Sequence, residues 1–181
     1  LNATHDFVVI DTPPDLGFLM TTALIAADWY IIPVRPSGYD LDGLDLLGVT
    51  VKKVRERLNP NLNCLGVLLT LVAQRTKLAA QVRELLLDRF GPDLLFPTSI
   101  SEGVKHREAT VYRQTIFEHA REELGARQYG EVADVALARI AASGAAHLAQ
   151  QSQLPEVQPV LPDVEIQPSS PDAPVTEAER V

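Results

Sequence analysis

Apolar and polar positions follow two different rhythms along this chain. Phe7, Val8, Val9 and Ile10 make a short unbroken apolar run that closes on Asp11. A continuous, β-branched run of this kind predicts a strand buried on both faces, as in a parallel sheet. Thr12-Pro13-Pro14 stops it, because proline cannot donate to a ladder. After Gly17, residues 18–27 predict a helix rich in Leu, Met and Ala, and Trp29-Tyr30-Ile31-Ile32-Pro33-Val34 predicts a second buried strand. Between residues 41 and 58 the apolar positions are Leu44, Leu47, Val51, Val54 and Leu58. Steps of three and four residues place them on one face of an amphipathic helix. Asn59-Pro60-Asn61 breaks it. Residues 64–72 predict a third buried strand. Residues 78–90 predict a helix with Val82, Leu85, Leu86 and Phe90 on one face, ended by Gly91-Pro92. Residues 94–96 predict a short fourth strand, residues 102–124 a short helix plus a loop, and residues 125–148 a final Ala-rich helix weakened at Gly144. Strands that alternate with helices of about 10–18 residues imply βαβ units with right-handed crossovers. The expected fold is α/β, a partial doubly wound, mostly parallel sheet flanked by helices, with no internal repeat.

The pattern changes at Gln150. Pro155, Pro159, Pro162, Pro168, Pro171 and Pro174 occur among scattered acids and glutamines. Such a segment buries too little apolar surface to offset its ordering entropy, so residues 150–181 are expected to be a disordered, acidic, Pro-rich tail. Residues 1–149 form the expected folded domain. Residues 151–181 hold six acids and one base, which is −5 of the chain's net −8 and leaves −3 for residues 1–150. A −3 body still has room for a basic face. The 181 residues are enough for one domain of ordinary size. A single cysteine, Cys64, excludes a disulfide framework and a multi-cysteine metal or iron–sulfur site, and points to a reducing compartment. No apolar run reaches the ~20 residues of a membrane span, and the first residues have no signal-peptide pattern. The expectation is a cytoplasmic chain without a membrane partner. The absence of an initiator Met suggests a fragment of a longer reading frame.

The segment richest in chemistry is Phe7-Val8-Val9-Ile10-Asp11-Thr12-Pro13-Pro14-Asp15-Leu16-Gly17. An apolar strand that ends in Asp before a stiff turn sets one carboxylate at the carboxyl edge of a sheet, where ligands of open α/β sheets gather. With Ala23-Leu24, Ala26-Ala27-Asp28 and Ile31-Ile32-Pro33-Val34 following in order, the chain resembles the Walker B and switch II region of the ParA/MinD family of deviant-Walker P-loop ATPases. The resemblance continues through Leu41, Gly43-Leu44, residues 66–70 and Gln74-Arg75-Thr76. It runs on through Ile100, Val104, Glu108-Ala109, Gly125-Ala126 and Tyr129, so it covers roughly residues 5–140.

That resemblance implies a P-loop NTPase-like fold, with ATP and Mg²⁺ as cofactors of the intact family protein. It implies a Walker B role for Asp11, near Mg²⁺ through water, and a γ-phosphate-sensing role for Pro13, Pro14 and Gly17. Arg75, Ile100 and Ser101 match segments that flank the adenine. Two positions depart from the family pattern: Asp is frequent where Ala73 or Gln74 stands, and Pro-Arg where Ser101-Glu102 stands. The larger departure is an absence. The family's Lys-rich glycine loop, KGGxGK[ST], cradles the phosphates with backbone N–H groups and lysines. No Gly-Lys dipeptide occurs anywhere in the chain, and the switch I Asp is missing too. The sequence therefore predicts that this chain alone neither turns over nor holds ATP–Mg²⁺. It also predicts poor solubility or a molten state, because the edge of the 7–10 strand lacks its neighbour.

Family ParA proteins dimerise with ATP and bind DNA non-specifically through basic side chains, with a centromere-binding ParB-like partner, in association with the nucleoid. Arg83, Arg89, Lys105 and Arg107 are the matching candidates here, followed by Arg113, Arg121 and Arg127. Arg83 and Arg89 fall about 120° apart on one helix. Lys52, Lys53, Arg55 and Arg57 read as a solvated helix face. His5, His106, His119 and His147 lack metal-ligand spacing, and Cys64 reads as core. The leading function is therefore a ParA-type ATPase of plasmid or chromosome partitioning. The alternatives are a non-catalytic remnant or interaction module, and a MinD-like positioning ATPase, against which the acidic tail argues because that class ends in a basic amphipathic helix.

Overall fold

The computed structural model describes residues 5–73 and 77–146. Arg75 and the tail from residue 150 lie outside the described residues. The elements run α1 (Phe18–Ala26), β1 (Trp29–Val34), α2 (Gly38–Arg57), β2 (Asn63–Leu69), α3 (Lys77–Leu94), α4 (Val104–Val111), α5 (Ile116–His119) and α6 (Leu124–Ala146). The helix-period segments become helices within a few residues of the expected bounds. In α3, Gly91 leaves helical geometry at φ 77°, and a last turn carries on to Leu94.

β1 and β2 pair in parallel, with one register shift between Tyr30 and Ile31. Two isolated parallel bridges, Val67 to Leu95 and Val72 to Ser101, extend the sheet beyond β2. The expected fourth strand is thus reduced to a bridge at Leu95, because α3 takes up Leu94. The third strand stops at Leu69, and Leu71 adopts φ 50° in the turn that follows.

Three apolar clusters hold these elements together. Val34, Leu44, Val67, Leu69, Val82, Leu86 and Leu95 pack between the sheet, α2 and α3. Leu24, Val51, Val54 and Leu62 join α1 to α2 and the turn before β2. Leu68, Phe96, Ile100 and Val132 fill the opposite face beneath α6. β2 is therefore covered on both sides, the doubly wound arrangement expected of a parallel sheet. Asn59, in the break after α2, donates from Nδ2 to Leu24 O and Ala27 O at 3.1 and 2.7 Å, closing the end of α1.

Two strand expectations are corrected. Phe7, Val8, Val9 and Ile10 join no ladder and are exposed, Val9 by 92%. A strand exists only through a hydrogen-bonded neighbour, and among the described residues none lies beside this run. β1 is not buried on both faces. Val34 is buried, but Ile31 and Pro33 are exposed, since α6 covers the Leu68 side of β2 and not β1.

Candidate functional site

Parallel strands send their carboxyl ends to one edge, and here the turn after β2 meets the segment that follows Phe96 at that edge. Ile100 N–H donates to Leu69 O at 2.9 Å and Val72 N–H to Ile100 O at 3.0 Å, while Glu102 N–H donates to Val72 O at 3.0 Å. These bonds pin Ile100 and Ser101 beside the end of β2. Ile100 is buried and Ser101 half-buried.

From Ser101 a cavity of about 280 Å³ opens between the start of α4, α5 and the start of α6. Glu102, Lys105, His106, Ile116, Glu123 and Gly125 are among its lining residues. His106 is half-buried and packs edge-on to Tyr129, with ring centroids 5.7 Å apart. Its ring lies so close to Gly125 that a Cβ there would collide with Nε2, which explains a glycine within the first turn of α6.

α4 and α5 are joined on the far side of Lys105. Lys105 Nζ donates to Glu108 Oε2 at 2.7 Å. His119 approaches Glu108 Oε2 with Nε2 and Gln114 Oε1 with Nδ1, both at 3.2 Å, and stacks on Tyr112. The Lys105 hydrogen bond, reinforced by the one from His119, holds the Glu108 carboxyl below its ordinary range. The same bond to Glu108 pushes the Lys105 ammonium up. Glu118 is held down by the Thr115 backbone N–H in the capping box that opens α5.

Asp11, Pro13, Pro14 and Gly17 are exposed and precede α1. Asp15 Oδ1 accepts from Gly17 N–H at 2.7 Å, which tightens the turn that starts the helix. No hydrogen bond or ion pair joins residues 11–17 to Ile100 or Ser101 among the described residues. No group of three or more His, Cys, Asp or Glu side chains converges among the described residues. Asp11 alone does not fit the needs of a Mg²⁺–phosphate site, which takes several oxygen donors.

All four leading basic candidates have partners within the fold. Arg89 forms an ion pair with Asp45 of α2. Arg83 donates to Pro97 O at 3.4 Å, Lys105 pairs with Glu108, and Arg107 reaches Glu102 at 3.3 Å. Arg113, Arg121 and Arg127 are exposed, with no side-chain partner among the described residues. No helix among the described residues is long and apolar enough to cross a membrane.

Sequence reasoning missed Gln128 and Glu131, one turn apart on α6. Gln128 bonds Ser101 twice, and Glu131 accepts from Thr98 Oγ1 at 2.5 Å. Nothing in the local sequence marks a clasp between residues 27 positions apart.

A family model described as an AAA domain matches residues 1–64. The chain is similar to the chromosome-partitioning ATPase Soj of Thermus thermophilus, at 39% identity over 136 residues, 75% of this chain and 54% of that protein. It is similar to the sporulation initiation inhibitor protein Soj of Bacillus subtilis, at 37% identity over 129 residues, 71% of this chain and 51% of that protein. Among solved structures it resembles cobyrinic acid a,c-diamide synthase from Mycobacterium smegmatis with bound ATP analog and magnesium. That match has a TM-score of 0.61 and 31% identity, and covers 79% of this chain and 52% of that one. The chain spans about half the length of the curated relatives it matches.

Proposed function

Because the chain belongs to the ParA/MinD-type family of P-loop ATPases, we propose that it is the portion of a ParA-type partition ATPase from Walker B onward. In this reading it contributes the Walker B turn and the base-binding edge, and the phosphate-binding loop comes from outside the 181 residues. The observation that carries the reading is the 39% identity to a chromosome-partitioning ATPase over 75% of the chain, in a sequence with no Gly-Lys dipeptide. Ser101 borders a cavity that opens from the carboxyl edge, the position at which open α/β sheets bind ligands, and the buried Ile100 precedes it. Asp11 would contribute one carboxylate toward Mg²⁺, and Pro13, Pro14 and Gly17 would form the γ-phosphate switch. Arg75 is the remaining base-flanking residue of the proposal.

DNA is the proposed macromolecular partner, bound non-specifically, with a ParB-like protein and an ATP-dependent homodimer in the intact protein. The exposed Arg113, Arg121 and Arg127, without a side-chain partner among the described residues, are better placed for phosphate contacts than Arg83, Arg89, Lys105 and Arg107, whose internal bonds would have to be exchanged.

Isothermal calorimetry of ATP–Mg²⁺ with the purified chain tests the nucleotide side of the proposal. The expected result is no micromolar binding and no hydrolysis. Micromolar binding would mean that the phosphates are held without a glycine-lysine loop, and would overturn this assignment of parts.

A further inference from the structure

Gln128 holds Ser101 by both ends of its carboxamide. Its Oε1 accepts from Ser101 N–H at 2.9 Å, and its Nε2 donates to Ser101 Oγ, also at 2.9 Å. The backbone N–H can only donate, so it fixes which end of the amide carries the oxygen. Ser101 Oγ then acts as acceptor toward Gln128. Its own proton finds no acceptor among the described residues. Glu131, one turn further along α6, anchors Thr98 in the same segment. The segment is therefore braced at two points by one helix face, and Ser101 borders the 280 Å³ cavity.

We propose that Gln128 is a positioning residue that leaves the Ser101 hydroxyl free to donate to a nitrogen in the six-membered ring of a purine base seated in this cavity, an inference that rests on the assignment of the cavity to the base of a nucleotide. A serine hydroxyl is both donor and acceptor, and an unrestrained one adapts to either kind of ligand atom. Engaging its acceptor side from Gln128 biases it toward donation. That bias selects heterocycles with ring-nitrogen acceptors. The cavity volume suits a base with part of its ribose, and His106, edge-on to Tyr129, supplies an aromatic wall.

The test follows amide shifts of residues 101–106 and 123–125 in the ¹⁵N-labelled full chain during titration with adenosine and with benzimidazole riboside, which lacks the six-membered-ring nitrogens. The wild-type chain is expected to prefer adenosine by about threefold to tenfold, the range of one net hydrogen bond. Ser101→Ala should bring the ratio near one, Gln128→Ala should lower it part of the way because the released hydroxyl still donates some of the time, and the double variant should match Ser101→Ala. Gln128→Glu separates placement from donation. Its carboxylate still accepts from Ser101 N–H, so that amide stays protected from hydrogen exchange, but it also captures the hydroxyl proton and so abolishes the preference. A Gln128→Ala or Gln128→Glu variant that keeps the wild-type preference would overturn the role of Gln128 while the base site stands. A wild-type chain whose cavity amides respond to neither nucleoside would overturn the base site and this inference together.

Discussion

Gly66 adopts φ +149° at the register shift of the β1–β2 ladder. A Cβ there would stand 2.5 Å from Leu94 O and 2.8 Å from Phe96 Cε2, and would also meet the Arg139 guanidinium. Arg139 donates to Leu65 O, Leu94 O and Leu95 O at 2.7, 3.2 and 3.1 Å and lies over the Phe96 ring at 4.5 Å. Gly66→Ala therefore combines backbone strain with displacement of a guanidinium that satisfies three carbonyls. It should cost at least about 2–4 kcal/mol, measured as a fall in denaturant midpoint. Two residues earlier, burial pushes the Cys64 thiol above its ordinary range, and burial pushes its neighbour, the Tyr30 phenol, up as well. The folded chain keeps both protons, whereas the unfolded chain loses them from about pH 8.5 and pH 10 upward. Above those values the unfolded state binds fewer protons than the folded one, so stability falls as pH rises through this range. Unfolding midpoints at pH 7 and pH 10 should show that decline, and Cys64→Ala with Tyr30→Phe should reduce it. A decline of the same size in the double variant would assign it to other groups.

At the scale of elements, the helices were legible because their 3.6-residue period is local. Val82 and Leu86, or Leu44, Val51 and Val54, mark a buried face wherever the neighbouring element comes from. The strands were legible only in part. Residues 7–10 and 29–34 both have apolar, β-branched sequences, but only the second lies beside a partner. The partner of a strand lies far away in sequence, so composition alone cannot supply it. The same reason hid the pairing of Arg89 with Asp45, 44 residues away, and the grip of Gln128 on Ser101. Asp28 O and Val34 O accept from β2 or the turn just after it. By the alternation of a parallel ladder, Trp29, Ile31 and Pro33 direct their backbone groups to the opposite edge. Among the described residues nothing pairs there. Pro33 withholds one donor, a partial guard for an edge strand, and the exposed run at residues 7–10 adds apolar surface. Self-association that grows with concentration is expected in light scattering. Val9→Lys should reduce it while changing the unfolding midpoint little, since Val9 is 92% exposed. A wild-type chain that stays monodisperse as its concentration rises would contradict the expectation of a poorly soluble molecule.

At the scale of the whole molecule, charge has to be read by location. The chain carries −8, of which −5 lies in residues 151–181, so the total says little about the surface that would meet DNA. Four of the basic candidates within the folded part are engaged internally, and three have no side-chain partner among the described residues. These two groups predict different outcomes in the same binding experiment. If Arg113, Arg121 and Arg127 each neutralise one phosphate, the logarithm of the association constant should fall against the logarithm of salt concentration with a slope of about −2.7 on duplex DNA. Each Arg→Gln substitution among the three should remove about 0.9 from that slope, whatever the DNA sequence. Arg89→Gln should leave the slope unchanged and lower the unfolding midpoint instead, because it takes away the partner of Asp45 between α2 and α3. Fluorescence anisotropy with two unrelated duplexes across a salt series makes the comparison. A slope that responds to Arg89 and not to the three outward arginines would move the DNA-facing surface to α3. It would also mean that the Arg89–Asp45 bond opens when DNA arrives, which would make that pair part of the binding step as well as part of the fold.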